Sequence, residues 1–140
     1  MPSGRTHDII TATSTPIIGF LSYKITNDIN ASTILTLSYL FSSLMFNGDL
    51  DIDSRPLKRW SLFKWIWFPY KKYIPHRSIW SHGIIIGTVI RLIYLMPIFI
   101  LLYIHFNLEL SALNWYFIII GLIGLELGNT VHTISDQISL

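Results

Sequence analysis

The sequence contains no cysteine and few charged residues. The absence of cysteine excludes disulfides, thiolate metal sites and cysteine nucleophiles, and it leaves the redox compartment open. Asp, Glu, Lys and Arg make up 13% of the chain, whereas they make up about a quarter of a soluble domain. Hydrophobic residues make up 51%, and mean hydropathy is positive. This composition favours a membrane protein of one domain, residues 1–140, because the chain is too short for a second core.

The first residues lack the layout of a secretory signal peptide. Such a peptide has a charged segment, a short apolar run and a small-residue cleavage site. Residues 1–8, MPSGRTHD, do not begin a segment of this kind. We therefore expect them to be retained.

Four apolar stretches are long enough, or nearly long enough, to cross a bilayer. A spanning helix needs ~20 apolar residues, with a range of roughly 17–25. Residues 83–106 meet this length, 110–127 meet it narrowly, 31–46 are borderline, and 9–25 contain several Thr and Ser together with Pro16. The pattern predicts an all-α fold, a four-helix membrane bundle whose helices cross up and down. The alternative is that the first two stretches are core helices of a soluble bundle.

The connections between the stretches support this arrangement. Residues 24–30 and 107–111 are short and polar, so each connects antiparallel neighbours. The connection between the second and third stretches is long and contains Pro56, Pro69 and Pro75. We expect it to form a separate loop.

This loop carries most of the positive charge, since seven of the ten Lys and Arg residues lie within 55–77. The positive-inside rule places it in the cytoplasm, and an even number of spans places both termini there too. Residues 57–68 interleave bulky aromatics with cations, which predicts an interfacial segment against anionic headgroups. Aromatics with cations can also bind nucleic acid, but the two strong spans nearby favour a bilayer partner and no nucleic acid.

Four short polar signatures lie at the ends of the apolar stretches. They are residues 6–8 (THD), 47–53 (NGDLDID), 76–82 (HRSIWSH) and 128–136 (GNTVHTISD). If the stretches cross the membrane up and down, all four signatures emerge on one face. Four of the five His and five of the eight Asp and Glu residues then share that face. This convergence predicts a metal site on the cytoplasmic side.

The second and fourth signatures indicate carboxylate and imidazole ligands. His132 and Asp136 are four residues apart, so on a helix they stand on one face, although such pairs are also common as surface hydrogen bonds. Asp49 and Asp51 follow an apolar helix, where uncompensated charge is costly, and are the best carboxylate ligands. The alternative is an exposed acidic turn, and Asp53 is expected to be solvated.

The third signature supplies two histidines and a cation. His76 and His82 bracket Arg77, and their spacing places one before the third helix and the other in its first turn. The simpler role of Ser78 and Ser81 is to cap that helix. Arg77 is suited to binding a phosphate through two hydrogen bonds.

Histidine with aspartate and no cysteine suits zinc, manganese or iron, and the number of ligands allows one or two divalent ions. In a hydrolytic site Asp8 or Asp136 would act as the base, and Arg77 would hold substrate charge. His105 lies at the opposite end of its helix and is excluded from the site.

The order of these motifs is similar to that of known membrane proteins. Thr-His, Gly-Asp-Leu-Asp, His-Arg-Ser-x-x-Ser-His and Gly-x-x-x-His-x-x-x-Asp resemble the pattern of the small membrane-bound metal-dependent hydrolases. The opening MPSGRTHD looks closer still to an uncharacterised family of small metal-binding membrane proteins. The chain departs from the hydrolase pattern at Asn47-Gly48, where Pro is usual, and at Ser81, where Thr is usual. The resemblance spans nearly the whole chain and implies the metal ligands His7, Asp49, Asp51, His76, His82, His132 and Asp136.

Two functions fit these features. The first is a metal-dependent hydrolase acting on a phosphoester or ester at the cytoplasmic membrane interface, with a lipid-derived phosphoester as the natural substrate. The second is a non-catalytic metal-binding or cofactor-assembly membrane protein. An open coordination position beside a pocket would distinguish them. A transporter is disfavoured because the chain shows no internal repeat.

Arg91 lies within the third apolar stretch, where a charge is costly and needs a partner. Equal rise per residue from the turn after this stretch brings Arg91 level with about Glu126, the carboxylate at that depth. We therefore predict an Arg91–Glu126 ion pair. The alternative is that Arg91 extends to the headgroups and Glu126 faces water.

Overall fold

The computed structural model describes residues 4–107, 109 and 114–138, and over these residues the chain is helical with no strand. The all-α prediction is therefore confirmed for the described part. The α-helices are α1 (Gly4–Thr26), α2 (Ile29–Met45), α3 (Arg55–Arg59), α4 (Phe68–Tyr73), α5 (Ile79–His82), α6 (Ile86–Phe106) and α7 (Trp115–Ile138). Two 3-10 segments, Gly48–Asp51 and Ser61–Trp67, lie in the long connection between α2 and α6.

Three segments of the described chain are long and apolar enough to cross a membrane: Ile29–Asp51, Ile86–Phe106 and Trp115–Ile138. α1 is not among them, although it has 23 residues. Its Thr and Ser side chains lower its hydropathy and bond to carbonyls one turn back, as Thr15 does to Thr11 at 2.6 Å.

Two helices extend beyond the apolar stretches that predicted them. α1 begins at Gly4 rather than at residue 9, so the first signature lies inside a helix. α7 continues to Ile138, so the fourth signature is helical as well. Backbone hydrogen bonds continue through polar residues, and apolar stretches therefore mark only the apolar part of each helix.

α7 packs along α2, and α2 packs along α1, while α6 contacts the short helix α5 before it and packs Leu95 against Phe46 and Trp67. Glycines allow the α2–α7 contact to be close. A Cβ on Gly124 would lie 2.4 Å from the carbonyl oxygen of Leu35, and one on Gly128 would lie 2.7 Å from that of Tyr39. No other residue fits at these two positions without separating the helices.

The aromatic loop between α2 and α6 is divided between the core and the surface. Trp67 and Tyr70 are buried and form a cluster with Phe46, Leu50, Leu57 and Leu95. Leu62 and Trp65 are 83% and 61% exposed. The loop therefore covers one end of the helices with one set of aromatics and presents another set outward.

The predicted Arg91–Glu126 ion pair is wrong. Arg91 is fully buried, and its guanidinium donates to the carbonyl of Ser81 at 2.8 Å and to Oδ1 of Asn129 at 2.7 Å. Glu126 accepts instead from the backbone N–H of Ile85 at 2.9 Å. The segment before α6 breaks there, with Ile85 at φ 65°, and this break directs its N–H to the carboxylate.

Candidate metal centre

The turn after α2 positions the two aspartates of the second signature. The side chain of Asn47 accepts from the N–H of Asp49 at 3.1 Å and donates to the carbonyl of Ser43 at 2.7 Å. This side chain ends α2 and begins the 3-10 segment, as Asn commonly does in turns. A Cβ on Gly48 would lie 2.8 Å from the ring of His82, so glycine allows that ring to lie against the turn. Asp49 is thereby brought beside the histidine.

α5 presents His82 with one ring nitrogen already engaged. The hydroxyl of Ser81 lies 3.0 Å from Nδ1 of His82 and donates to the carbonyls of Pro75 and Ser78. This hydroxyl engages Nδ1, while Nε2 of the same ring is buried and has no hydrogen-bond partner among the described residues. Such a contact orients a histidine for a metal ion. Ser81 thus serves His82, and Ser78 occupies the N-cap position of α5 without a side-chain cap bond.

Four ligand atoms from three parts of the chain converge. Nε2 of His82 lies 3.4 Å from Oδ1 of Asp49 and 3.7 Å from Oδ2 of Asp136. Nε2 of His132 lies 3.5 Å from each of the same two oxygens. All four atoms are buried and have no hydrogen-bond partner among the described residues. We call this group the four-residue cluster: Asp49, His82, His132 and Asp136.

These distances fit a metal ion. Four ligands at ~2.0–2.2 Å around a tetrahedral zinc ion are separated from one another by roughly 3.3–3.6 Å. Buried polar atoms without partners are costly, and charged ones more so, unless a cation satisfies them. Two carboxylates and two imidazoles form a donor set suited to zinc, manganese or iron. The residues present therefore fit a divalent ion.

His7 lies one layer behind the four-residue cluster. Its Nε2 is 3.0 Å from Oδ1 of Asp136, the oxygen that faces away from the other ligands. Its Nδ1 is 2.9 Å from the hydroxyl of Ser135. The ring also packs 4.4 Å from that of His132, measured between centroids. In this arrangement His7 orients Asp136 and links α1 to α7.

Asp51 and His76 form a second group beside the first. Nδ1 of His76 lies 2.8 Å from Oδ1 of Asp51, while Oδ2 of Asp51 is buried without a partner in the described chain. That Oδ2 is 3.8 Å from Nδ1 of His82. The three residues could hold an ion between them. The side chain of His76 is 33% exposed, so this group opens to the surface.

Asp8 is engaged by two arginines. Its carboxylate accepts from Arg59 at 2.7 Å and from Arg55 at 2.8 Å. Partial burial raises the pKa of Asp8, but the hydrogen bonds and charges of Arg59 and Arg55 outweigh this effect and lower it. These contacts suit a clasp between α1 and α3 better than proton transfer. Asp53 is exposed, as expected, and pairs with Lys71 at 2.6 Å.

A pocket of about 270 Å³ opens beside the four-residue cluster. Its walls include the candidate ligands His82 and Asp136, and Arg77 and Gln137 lie at its polar side. Arg77 is exposed and adopts φ 58°, a left-handed conformation that is uncommon for non-glycine residues. The third signature thus turns sharply where it meets the pocket.

Sequence reasoning missed the residues that support the ligands from behind. Arg91 donates to the carbonyl of Ser81, next to His82, and Asn129 connects Arg91 to α7. The amide of Asn129 also donates to the carbonyl of Gly83 at 3.4 Å. Two features of the sequence could have identified these residues: Asn129 lies in the fourth signature, and Arg91 is a charged residue within an apolar stretch.

Comparison with known proteins agrees with the geometry. A curated protein of Aquifex aeolicus (strain VF5), described as "Uncharacterized protein", is 37% identical over 60 residues, or 42% of each chain. The matched region thus spans less than half the length of this relative. No solved structure matches the chain. These matches do not support the resemblance to membrane-bound hydrolases. A family profile matches residues 2–140, and the chain belongs to that family, described as "Uncharacterized metal-binding protein (DUF2227)".

Proposed function

We propose that the protein is a metal-dependent hydrolase that acts on a phosphoester or ester at the cytoplasmic membrane interface. One observation carries this proposal: two residues of the four-residue cluster, His82 and Asp136, line an open pocket that Arg77 also lines. A binding site beside the metal ligands is what an enzyme needs and a buried structural ion does not.

One or two divalent ions, zinc, manganese or iron, would be held by the four-residue cluster and by Asp51 with His76. When bound, such an ion polarises a phosphoryl or acyl oxygen and lowers the pKa of a bound water. The unpartnered atoms of Asp49, His82, His132 and Asp136 support the first ion. The unpartnered Oδ2 of Asp51 supports the second.

The remaining residues of the site have distinct roles in this proposal. Arg77 binds the negative charge of the substrate through its planar guanidinium. His7 holds Asp136 in place through the oxygen that faces away from the pocket. Nδ1 of His76 lies 2.8 Å from Oδ1 of Asp51, and this contact fixes the imidazole beside the carboxylate that would hold the second ion.

The membrane arrangement belongs to the same proposal. α2, α6 and α7 are long and apolar enough to span, and α1 runs antiparallel to α2 over its length. His7 of α1 contacts Asp136 at one end, and Ser22 contacts Ser32 of α2 at 2.7 Å near the other. Four spans would place both termini and the centre on the cytoplasmic side, as the basic loop requires. The exposed aromatics and lysines of that loop would contact anionic headgroups.

A second function is favoured by the ligand count. Four protein ligands can complete a tetrahedral shell and leave no position for water, which is typical of structural zinc sites. The protein would then hold a metal without catalysis, or deliver it to a membrane assembly. The two functions differ in whether solvent reaches the ion.

Metal analysis with matched alanine variants tests the centre. We expect the purified protein to contain a divalent metal, and His82→Ala and His132→Ala to lose it, because each removes one of four ligands. His105→Ala is the control, since this histidine is exposed at the far end of α6. Full metal occupancy in both His82→Ala and His132→Ala would contradict the assignment.

Activity separates the two functions. The metal-loaded protein should hydrolyse a soluble phosphoester or carboxylic ester, and Arg77→Ala should weaken turnover of the charged substrate while leaving metal content intact. Stoichiometric metal together with no turnover on either class, and no water ligand by X-ray absorption spectroscopy, would favour the non-catalytic function.

A further inference from the structure

An apolar groove lies between α6 and α7, below the metal pocket. It has a volume of about 310 Å³. We call it the α6–α7 groove, and the described residues that line it are Ile85, Thr88, Val89, Leu92, Ile119, Leu122, Ile123 and Glu126. The groove lies where α6 and α7 make little backbone contact.

One face of α7 connects the pocket to this groove. Thr133 and Gln137 line the pocket, and Glu126 and Ile119 line the groove. Steps of three or four residues keep side chains on one helical face. Thr130 lies on this face between Thr133 and Glu126, and its hydroxyl donates to Glu126 at 3.1 Å. The pocket and the groove are therefore successive parts of one surface.

The opposite wall is continuous as well. Gly83 lines the pocket, and Ile85, two residues later, lines the groove. The left-handed φ of Ile85 turns the chain at this point and directs its N–H to Glu126 of the facing helix, so this exposed hydrogen bond crosses the surface between the pocket and the groove. A molecule lying along this surface would pass from the ligands of α5 onto the side of α6.

The chemistry changes along the surface in one direction. The pocket end has the cation Arg77, the amide of Gln137 and the carboxylate of Asp136, whose charge a bound metal ion would neutralise, and the groove end has mostly aliphatic side chains. Glu126 lies at the boundary, where its negative charge disfavours an anion. An anionic group is therefore favoured at Arg77, and hydrocarbon is favoured beyond Glu126.

We infer that the substrate is a phosphorylated lipid, whose phosphate lies in the pocket at Arg77 and whose hydrocarbon chain lies in the α6–α7 groove. This inference rests on the proposed hydrolase function and names its substrate class. One water would be consumed: its oxygen bonds to phosphorus, the P–O bond to the lipid alcohol breaks, and a proton passes to the leaving oxygen. The products are inorganic phosphate and the lipid alcohol.

Chain length and groove-filling variants test this inference. We expect a long-chain alkyl phosphate in micelles to be turned over faster than a short-chain soluble one. Val89→Trp and Ile123→Trp should lower the ratio of long-chain to short-chain kcat/KM by at least ~10-fold, because the indole occupies the space of the chain. The control is Leu101→Trp, which places the same side chain at a residue of α6 that is 67% exposed and outside the groove; its ratio should equal that of the wild type.

Photolabelling detects a lipid in the groove whether or not the protein hydrolyses it. A long-chain alkyl phosphate with a photoreactive group in its chain should label peptides of α6 and α7 in the metal-loaded protein, and Val89→Trp should reduce that labelling. Labelling without any turnover would retain the lipid site and reject the hydrolase. Turnover with no preference for chain length and no labelling in the groove would retain the hydrolase and reject the lipid substrate.

Discussion

Arg91 acts on the candidate centre through the backbone rather than through a ligand. Its guanidinium is fully buried between α5 and α7 and contacts the ring of Phe46 at 5.3 Å from the centroid. By bonding to the carbonyl of Ser81 it fixes the short helix that carries His82. A lysine could supply the charge but not the planar set of donors that binds two acceptors at once.

Double mutants can test whether Arg91 is coupled energetically to Asn129 or to Glu126. Arg91→Leu leaves the carbonyl of Ser81 and Oδ1 of Asn129 buried without this donor, and since each unsatisfied buried acceptor costs ~1–3 kcal/mol, we expect a loss of ~2–6 kcal/mol in unfolding free energy. Adding Asn129→Leu should cost less than the sum of the two single changes. Adding Glu126→Gln should be additive, because Glu126 bonds elsewhere. Unfolding in detergent measures each value, and coupling to Glu126 instead of Asn129 would refute this assignment.

The clasp on Asp8 should make a pH-dependent contribution. Its pKa is lowered in the folded protein, so its contribution is fully present above the unfolded pKa of ~3.9 and is lost as pH falls through the folded value. Asp8→Asn should cost on the order of 1 kcal/mol at neutral pH and nothing in strong acid. Asp53→Asn is the comparison: Asp53 also pairs with a cation, Lys71, but its side chain is 84% exposed, so solvent screens the pair and the loss should be smaller. A loss that is the same at both pH values would exclude the charge as its cause.

At the scale of elements, the α2–α7 contact determines where the ligands of α7 lie. His132 and Asp136 follow Gly124 and Gly128 on the same helix, and those glycines allow the backbone of α7 to approach α2. Ser42 secures the contact by donating to the carbonyl of Leu125 at 2.6 Å. If the two helices separate, the ligands of α7 move away from Asp49.

Alanine at successive glycines of α7 tests this contact. A Cβ on Gly124 or Gly128 would meet backbone atoms closer than 3.0 Å, so Gly124→Ala and Gly128→Ala should destabilise the protein by about 1–3 kcal/mol and weaken metal retention. Gly121→Ala is the matched control, since its nearest neighbour would lie at 3.5 Å. It should be neutral, or more stable by up to ~1 kcal/mol. Equal losses at all three positions would indicate a general cost of helix substitution instead.

The long helices could be predicted from hydropathy, but their ends could not. The polar residues before residue 9 and after residue 127 hid the continuation of α1 and α7, because hydropathy reports surroundings and not backbone hydrogen bonding. The loop between α2 and α6 was predicted as one interfacial segment. In the structure some aromatics of this loop are buried and others are exposed. Which ones are buried depends on the packing of Trp67 against Phe46 and Tyr70, and this packing cannot be predicted from the order of residues.

At the scale of the whole molecule, the signatures meet because the helices alternate in direction. Asp49, His82 and His132 come from three separate signatures and lie within a few ångströms of one another. This convergence could be predicted from the alternation of apolar and polar segments. The position of His7 behind Asp136 could not, because it depends on the contact of its Nδ1 with Ser135.

The membrane orientation stays a prediction, and single cysteines can test it because the native chain has none. A cysteine at Leu62 in the basic loop should react only from the cytoplasmic side. Asn30 lies at the start of α2 and Asn107 follows α6, so both lie at the helix ends away from the basic loop. Cysteines at these two positions should react only from the side opposite to the cytoplasm. Intact cells or oriented vesicles with an impermeant thiol reagent provide the measurement. Labelling of Leu62 and Asn30 from the same side would contradict the four-span arrangement.

The distribution of the ligands along the chain also sets the order of events during synthesis. Asp49 is made early, His82 later, and His132 and Asp136 last, in the final described helix. A nascent chain therefore cannot assemble the four-residue cluster until α7 is in place, since domains form as their last segments emerge. Capture of the ion would then report that α7 has docked on α2, so metal content would measure the docking of this helix.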